Sequence, residues 1–374
     1  MAHAYTPGLK VLEYTVVEKQ RRLPLPGEVL VREGDKVSAE QVVAKTSLPG
    51  SVQTSNVAGL LGILPEEVEE AMLKKVGDEV KKDEVIAESK GFFGLFKSQV
   101  KSPINGTVES ISRITGQVIL REPPIPVEVI AYIDGEVSKV FPQEGVSIKT
   151  KGSFIQGIFG IGGETIGELA LAVDKPDQVL TPDQIDESFR GKIIIGGSMV
   201  TYPALLKARD CGVKGIIVGG IEDQDLKKFM GYDIGVAITG SEKVGLTLIV
   251  TEGFGQLSMA ERTFGLLKSL CGKKSSINGA TQIRAGVMRP EVIVPLAKEP
   301  DKKISHIFSG SGLELGMSVR IIREPYFGMI GKVVDLPVPL ELIDTESKVR
   351  VLEVELANSK RVKLPRANVE IIEE

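Results

Sequence analysis

Two stretches of the chain repeat one short pattern, and that repeat limits the N-terminal part to short strands joined by tight turns. The first stretch runs Pro26-Gly27-Glu28-Val29-Leu30-Val31, then Gly34-Asp35-Lys36-Val37, then Val42-Val43-Ala44. The second runs Val76-Gly77-Asp78-Glu79-Val80, then Val85-Ile86-Ala87, then Ser102-Pro103-Ile104-Asn105-Gly106-Thr107-Val108. Apolar and polar residues alternate in each, which is the period of a half-buried strand. The Gly-Asp and Asn-Gly pairs supply the positive φ angles of hairpin turns. A looser third copy follows at Tyr132–Val137 and Gly145–Ile148. Between the first two copies one helix is predicted, from Pro65 to Lys75. Pro65 suits its first turn, and Glu66 and Glu67 sit at the positive end of its dipole.

Over Pro26–Gly116 the pattern resembles the barrel-sandwich hybrid of biotinyl and lipoyl domains, in the unmodified form found in the C subunit of Rnf-type electron-transport complexes. The Gly-Asp-x-Val turns at Gly34 and Gly77 and the Ser102–Val108 segment carry the resemblance. It implies an all-β domain, placed here at residues 1–173. A carrier domain of this type presents a lysine in a Met-Lys-Met or Asp-Lys-Ala context. The corresponding stretch here is Glu88-Ser89-Lys90-Gly91-Phe92-Phe93-Gly94-Leu95-Phe96-Lys97. Lys90 and Lys97 match by position alone, so no biotin, lipoate or other cofactor is expected. Phe92, Phe93 and Phe96 have two readings: a docking loop for a protein or membrane surface, or a lid folded onto the barrel core.

Composition narrows the function classes. Across 374 residues, 46 Lys and Arg face 50 Asp and Glu, a formal net charge of −4. A general nucleic-acid binder carries a positive excess instead. With only His3 and His306, His-based acid–base catalysis and a multi-His metal site are not expected. Cys211 and Cys271 lie outside any Cys-x-x-Cys spacing, and each precedes a glycine at the end of a helical pattern. They read as two reduced thiols. The N-terminus shows no apolar core of a signal peptide, and no apolar run approaches the ~18 residues that span a bilayer. A cytoplasmic protein without a transmembrane segment is expected.

The Phe154–Glu164 stretch holds Gly157, Gly160, Gly162 and Gly163. No Lys-Ser or Lys-Thr follows, so it is not a P-loop. No helical pattern opens after it either, so the dinucleotide fingerprint fails. It reads as bulges and close backbone contacts at the end of the β domain. Asp174–Asp186, with Pro176 and Pro182, reads as a linker. An α/β domain then occupies 187–300. Its apolar runs are Gly191–Ile195, Gly215–Val218, Ile234–Ile238 and Leu246–Val250. Its helices are predicted from Thr201 to Asp210, from Asp223 to Met230 and from Met259 to Leu270. Continuous apolar strands between short helices indicate a mainly parallel sheet buried on both faces.

Ligands of such sheets gather beyond the carboxyl ends of the strands. The candidates there are Gly219, Gly220, Glu252 and Gly253, joined by Thr281, Gln282 and Arg284 downstream. Arg284 suits a carboxylate or phosphate, and Glu252 is the acid placed to act as a base. No catalytic residue is assigned, because no nucleophile, metal set or phosphate cradle accompanies them.

The C-terminal segment Gly316–Leu336 alternates apolar residues around Phe327-Gly328, with Gly331 three positions on. It resembles the KOW motif of the small SH3-like barrels in NusG-type transcription factors and some ribosomal proteins. That implies an SH3-like β-barrel over 311–374 and a possible RNA, ribosome or RNA-polymerase contact. From Leu313 to Glu374 nine Lys and Arg face eleven Asp and Glu, which disfavours phosphate-driven binding. A local basic patch would draw on Arg320, Arg323, Lys332, Arg361, Lys363 and Arg366. No reading of DNA sequence is expected.

The whole reads as a multi-domain chain: an all-β barrel-sandwich hybrid, a central α/β domain and a small SH3-like barrel. The leading expectation is a scaffold or adaptor that contacts other proteins, without catalysis of its own. Two alternatives stand beside it. One is an accessory component of a multi-subunit enzyme whose α/β domain binds a small anionic ligand. The other is a factor associated with RNA, the ribosome or RNA polymerase through the KOW barrel.

Overall fold

The computed structural model describes residues 9–89, 98–232, 244–281, 288–298, 313–321, 323, 325–326, 329–342, 348–356 and 359–371. Among the described residues strand exceeds helix, 47% against 15%, as the repeated hairpin signals require. The strands form several sheets, one of them large and mixed.

The Gly145–Gln156 strand is the spine of the large sheet. On one side Val11–Arg22 runs antiparallel to it, with Val11 opposite Ile155 and Arg22 opposite Gly145. Its other side is divided. Gly135–Phe141 pairs with its first half, up to Lys149. Glu291–Pro295 pairs with its second half, from Gly152 onward. One strand therefore ties the N-terminal hairpins to the later part of the chain.

The repeated segments lie in smaller antiparallel sheets. Val52–Asn56, Gln117–Arg121, Gly106–Ile111 and Glu79–Val80 form one, and Ile125–Ile130, Val42–Leu48 and Glu28–Val29 another. Val57, Val68, Val80, Ile86, Val108, Val118 and Leu120 fill a core beneath the first. The predicted Pro65–Lys75 helix is shorter than its pattern. A 3-10 turn, Pro65–Glu67, leads into one helical turn, Val68–Ala71. It stops because the chain turns to strand pairing: Met72 bridges Ala87, and the Leu73 N–H donates to the Ile86 carbonyl at 2.8 Å. A further helix, Val57–Leu61, is capped by the Asn56 side chain and has no counterpart in the sequence pattern.

In the central part Glu164–Leu171, Ile193–Ile195, Gly215–Ile221 and Thr247–Phe254 are parallel neighbours in that order. The sheet around them is mixed rather than mainly parallel. Phe159–Ile161 pairs antiparallel with Thr247–Phe254, and Lys274–Asn278 antiparallel with Glu164–Leu171. The reversal at Gly162, φ +79°, sends the two halves of the glycine-rich junction to opposite sides of the parallel block. A Cβ at Gly160 would lie 2.7 Å from the Gly279 carbonyl, so these glycines serve close backbone contacts.

Helices Tyr202–Asp210, Asp223–Met230 and Glu261–Ser269 cover the sheet, and Thr201 caps the first through the Ala204 N–H. The 174–186 stretch is more ordered than a bare linker. It holds the short strand Val179–Leu180, parallel to Met199–Val200, and a turn at Pro182–Gln184. The run Ile234–Ile238 lies outside the described residues.

The C-terminal strands form a five-stranded antiparallel sheet. Its order is Arg361–Pro365, Val351–Leu356, Ile330–Asp335, Ser318–Ile321, Val369–Ile371. Val319, Ile321, Val333, Leu352, Val354, Leu364 and Val369 make its core. Among the described residues no sheet closes into a barrel. Here the two edge strands are joined by the Arg366–Asn368 turn rather than by a ladder.

Candidate functional site

The strand-end glycines converge at the carboxyl edge of the parallel block, and the chain itself lies over them. A Cβ at Gly219 would fall 2.2 Å from the Leu257 carbonyl, and one at Gly220 would fall 2.0 Å from the Gly255 carbonyl. The Gly255 N–H donates to Ile221, Leu257 to Ser198 and Met259 to Pro176. The 255–259 segment is thereby laced onto the strand ends. Gly253, φ +148°, pairs with Gly220 beyond a register shift in the strand, and Gly255, φ +94°, starts the return. Small residues are required here because backbone passes over backbone.

Glu252 sits at the same edge with its side chain 3% exposed. One carboxylate oxygen accepts the Ala260 N–H at 3.1 Å, just ahead of the Glu261–Ser269 helix. The other accepts from Nη2 of Arg320 at 2.5 Å. The same Nη2 donates to the Thr251 carbonyl at 3.0 Å. Arg320 comes from the C-terminal sheet and is 2% exposed. Across the ladder from Arg320 lies Glu370, itself buried and paired with Arg289. Two arginines and two glutamates thus lie where the C-terminal sheet meets the central one. The sequence pattern does not reveal Arg320 in this role. It alternates with Val319 and Ile321, so it reads as the solvent-facing position of a strand, yet all three are buried.

Thr281 is buried but belongs elsewhere. Its hydroxyl accepts the Gly160 N–H at 2.9 Å, and Gly160 pairs with Ile249, three residues before Glu252. Gln282 and Arg284 lie outside the described residues, as do Lys90, Phe92, Phe93, Phe96, Lys97, Phe327 and Gly328. Gly331 lies in the Ile330–Asp335 strand, which leaves no room for a Cβ. One there would approach Val354 Cγ1 to 2.5 Å and the Glu355 carbonyl to 2.6 Å. The basic patch drawn from the sequence is thinner than its list of residues. Arg320 is buried, Arg361 pairs with Glu355, and Lys363 pairs with Glu341. Arg366 donates to the Val351 and Pro337 carbonyls.

Two further features accompany the division of the Gly145–Gln156 strand. An open groove of about 560 Å³ lies at the fork, with Val37 and Leu296 among its apolar walls. Lys36, Glu136, Lys149 and Glu18 form one row across four adjacent strands. The charges alternate, so this face largely compensates itself. Hydrogen bonds from Ser147 and Ser138 hold the Glu18 carboxyl below the ordinary range.

Close by, Lys274 contacts both Asp134 and Glu40 at 2.7 Å. Tyr132 is fully buried at φ +71°. Burial first, then the nearby Glu291 and Glu164 carboxylates, push its phenol well above its usual pKa.

Cys211 is buried and Cys271 half-buried, both as free thiols. Burial raises the Cys271 pKa, which works against a nucleophilic thiolate. Among the described residues no three His, Cys, Asp or Glu side chains gather as a metal site. No helix among them is long and apolar enough to cross a membrane. No protein-family model matches the chain, and no curated protein matches it.

Proposed function

We propose that this chain is an adaptor. An N-terminal barrel-sandwich hybrid, a central α/β module and a C-terminal SH3-like module of KOW type are held together to contact other proteins in a larger complex. The observation that supports this most is the engagement of Glu252. The acid that sequence reasoning placed as a candidate base uses both oxygens within the chain, one on Arg320 and one on the Ala260 N–H. A buried carboxylate held this way acts as a bracket between modules and has no open face toward a substrate. Affinity capture of the tagged chain from native lysate tests the reading. A stoichiometric protein partner is expected, and a chain that elutes alone under gentle conditions counts against it.

A second reading is an accessory enzyme component that binds a small anionic ligand in its central module. The convergence of Gly219, Gly220, Glu252 and Gly253 at the carboxyl edge of parallel strands favours it, since sheets of this type bind ligands there. A thermal-shift panel of nucleotides and phosphosugars, each measured against the same concentration of inorganic phosphate and acetate, separates the two by any shift beyond that of the simple anions. A saturable excess shift with one compound supports the ligand reading, and no excess shift across the panel removes it.

A further inference from the structure

The junction between the central and C-terminal sheets contains donors with nothing to donate to. Arg320 is 2% exposed, and its Nη2 serves Glu252 and Thr251. Its Nε and Nη1 are buried and meet no acceptor among the described residues. Arg262, on the first turn of the Glu261–Ser269 helix, has a buried Nε in the same condition. A buried donor without an acceptor costs about 1–3 kcal/mol, and more when it carries charge. In folded proteins such groups hold an ordered water or an ion.

Charge decides which kind of ion fits. Arg320 and Arg289 face Glu252 and Glu370, and both carboxylates are already paired. The amino end of the Glu261–Ser269 helix, whose preceding Ala260 N–H donates to Glu252, adds positive character there. The one acceptor without a hydrogen bond, Glu370 Oε1, lies against the Arg289 guanidinium, which repels a cation, whereas an anion finds two unused guanidinium donors on Arg320. Guanidinium geometry suits oxyanions above other anions.

We propose that Nη1 of Arg320 binds a small oxyanion, a carboxylate or a phosphate, at the carboxyl edge of the Thr247–Phe254 strand, where the C-terminal sheet seats on the central one. This site is independent of the adaptor reading. The bound oxyanion completes the junction and makes the seating of the C-terminal sheet depend on anion concentration.

The test is thermal unfolding of the full chain at constant ionic strength, with chloride replaced stepwise by acetate or by phosphate. A saturable rise in Tm with one of the two oxyanions is expected, and which one acts identifies the source chemistry. The rise should vanish in Arg320→Lys, which keeps a positive charge for Glu252 but has no Nη1. It should also vanish in the charge-neutral pair Glu252→Gln/Arg320→Met, and persist in Arg113→Met at the exposed surface. Equal Tm in all three anions overturns the proposal and leaves water as the acceptor. An oxyanion effect of equal size in the Arg320 variants overturns it as well, as a general salt effect.

Discussion

Arg320 of the C-terminal sheet and Glu252 at the end of a central parallel strand are 2.5 Å apart, with side chains 2% and 3% exposed. Sixty-eight residues separate them in sequence. Removing one member of such a pair strands the other charge in the interior, which costs about 3–5 kcal/mol. Glu252→Gln should therefore lower stability by that amount in urea unfolding. The amide still accepts the Ala260 N–H, so the loss belongs to the ion pair. Adding Arg320→Met should recover most of it, because the double variant buries no unpaired charge. Additive losses would mean that the two side chains do not act as a pair.

Two glycines separate close packing from backbone conformation. Gly331 has no room for a Cβ, with Val354 Cγ1 and the Glu355 carbonyl in its place. Gly34 has open space but a φ of +89°. Gly34→Ala should cost about 1–2 kcal/mol, the ordinary price of a left-handed residue. Gly331→Ala should cost more, since two strands of the C-terminal sheet must part. Equal losses in chemical denaturation would contradict the packing at Gly331.

Lys274 sets a pH signature. Burial works against its charge, but hydrogen bonds to Asp134 and Glu40 outweigh burial and raise its pKa. The hydrogen bond from Lys274, the largest influence on Glu40, lowers that carboxyl. The Glu40 contribution is present above the unfolded carboxylate value, ~4.3, and is lost as pH falls through the lower folded value. The Lys274 contribution is present below the unfolded value, ~10.4, and is lost as pH rises through the higher folded value. Urea midpoints measured against pH should fall at both ends, and Lys274→Met should flatten both limbs. An unchanged acid limb in that variant would show that the contact does not matter in solution.

Tyr132 provides a spectroscopic check on the N-terminal core. Of six tyrosines, this one is buried and flanked by carboxylates that oppose ionisation. Alkaline absorbance titration should leave its phenol neutral until the chain unfolds, and Tyr132→Phe should remove that late step. A variant that loses amplitude from the early phase and keeps the late step would place Tyr132 in contact with water.

The legible parts of the fold were those with local causes. Gly34 and Gly77 marked turns, Thr201 marked a helix start, and the apolar run at Gly215 marked a strand buried on both faces. Pairing partners were not legible. Nothing near Gly145–Gln156 announces that its two edge halves serve Gly135–Phe141 and Glu291–Pro295. The mixed character of the large sheet follows from such distant pairings. At the candidate site, Glu252 and the strand-end glycines were visible because position in a parallel strand predicts them. Arg320 was not, because its partner lies on another sheet and alternation assigns it to solvent. Long-range pairing of charge leaves no periodic trace in a single sequence.

The adaptor reading stands or falls on what accompanies the chain in its native state. Native mass measurement of the endogenous protein, released gently at low salt, examines this directly. The account predicts a species heavier than the 40.2 kDa chain, containing a different protein in fixed ratio. A species at the mass of the single chain, or at whole multiples of it, would contradict it.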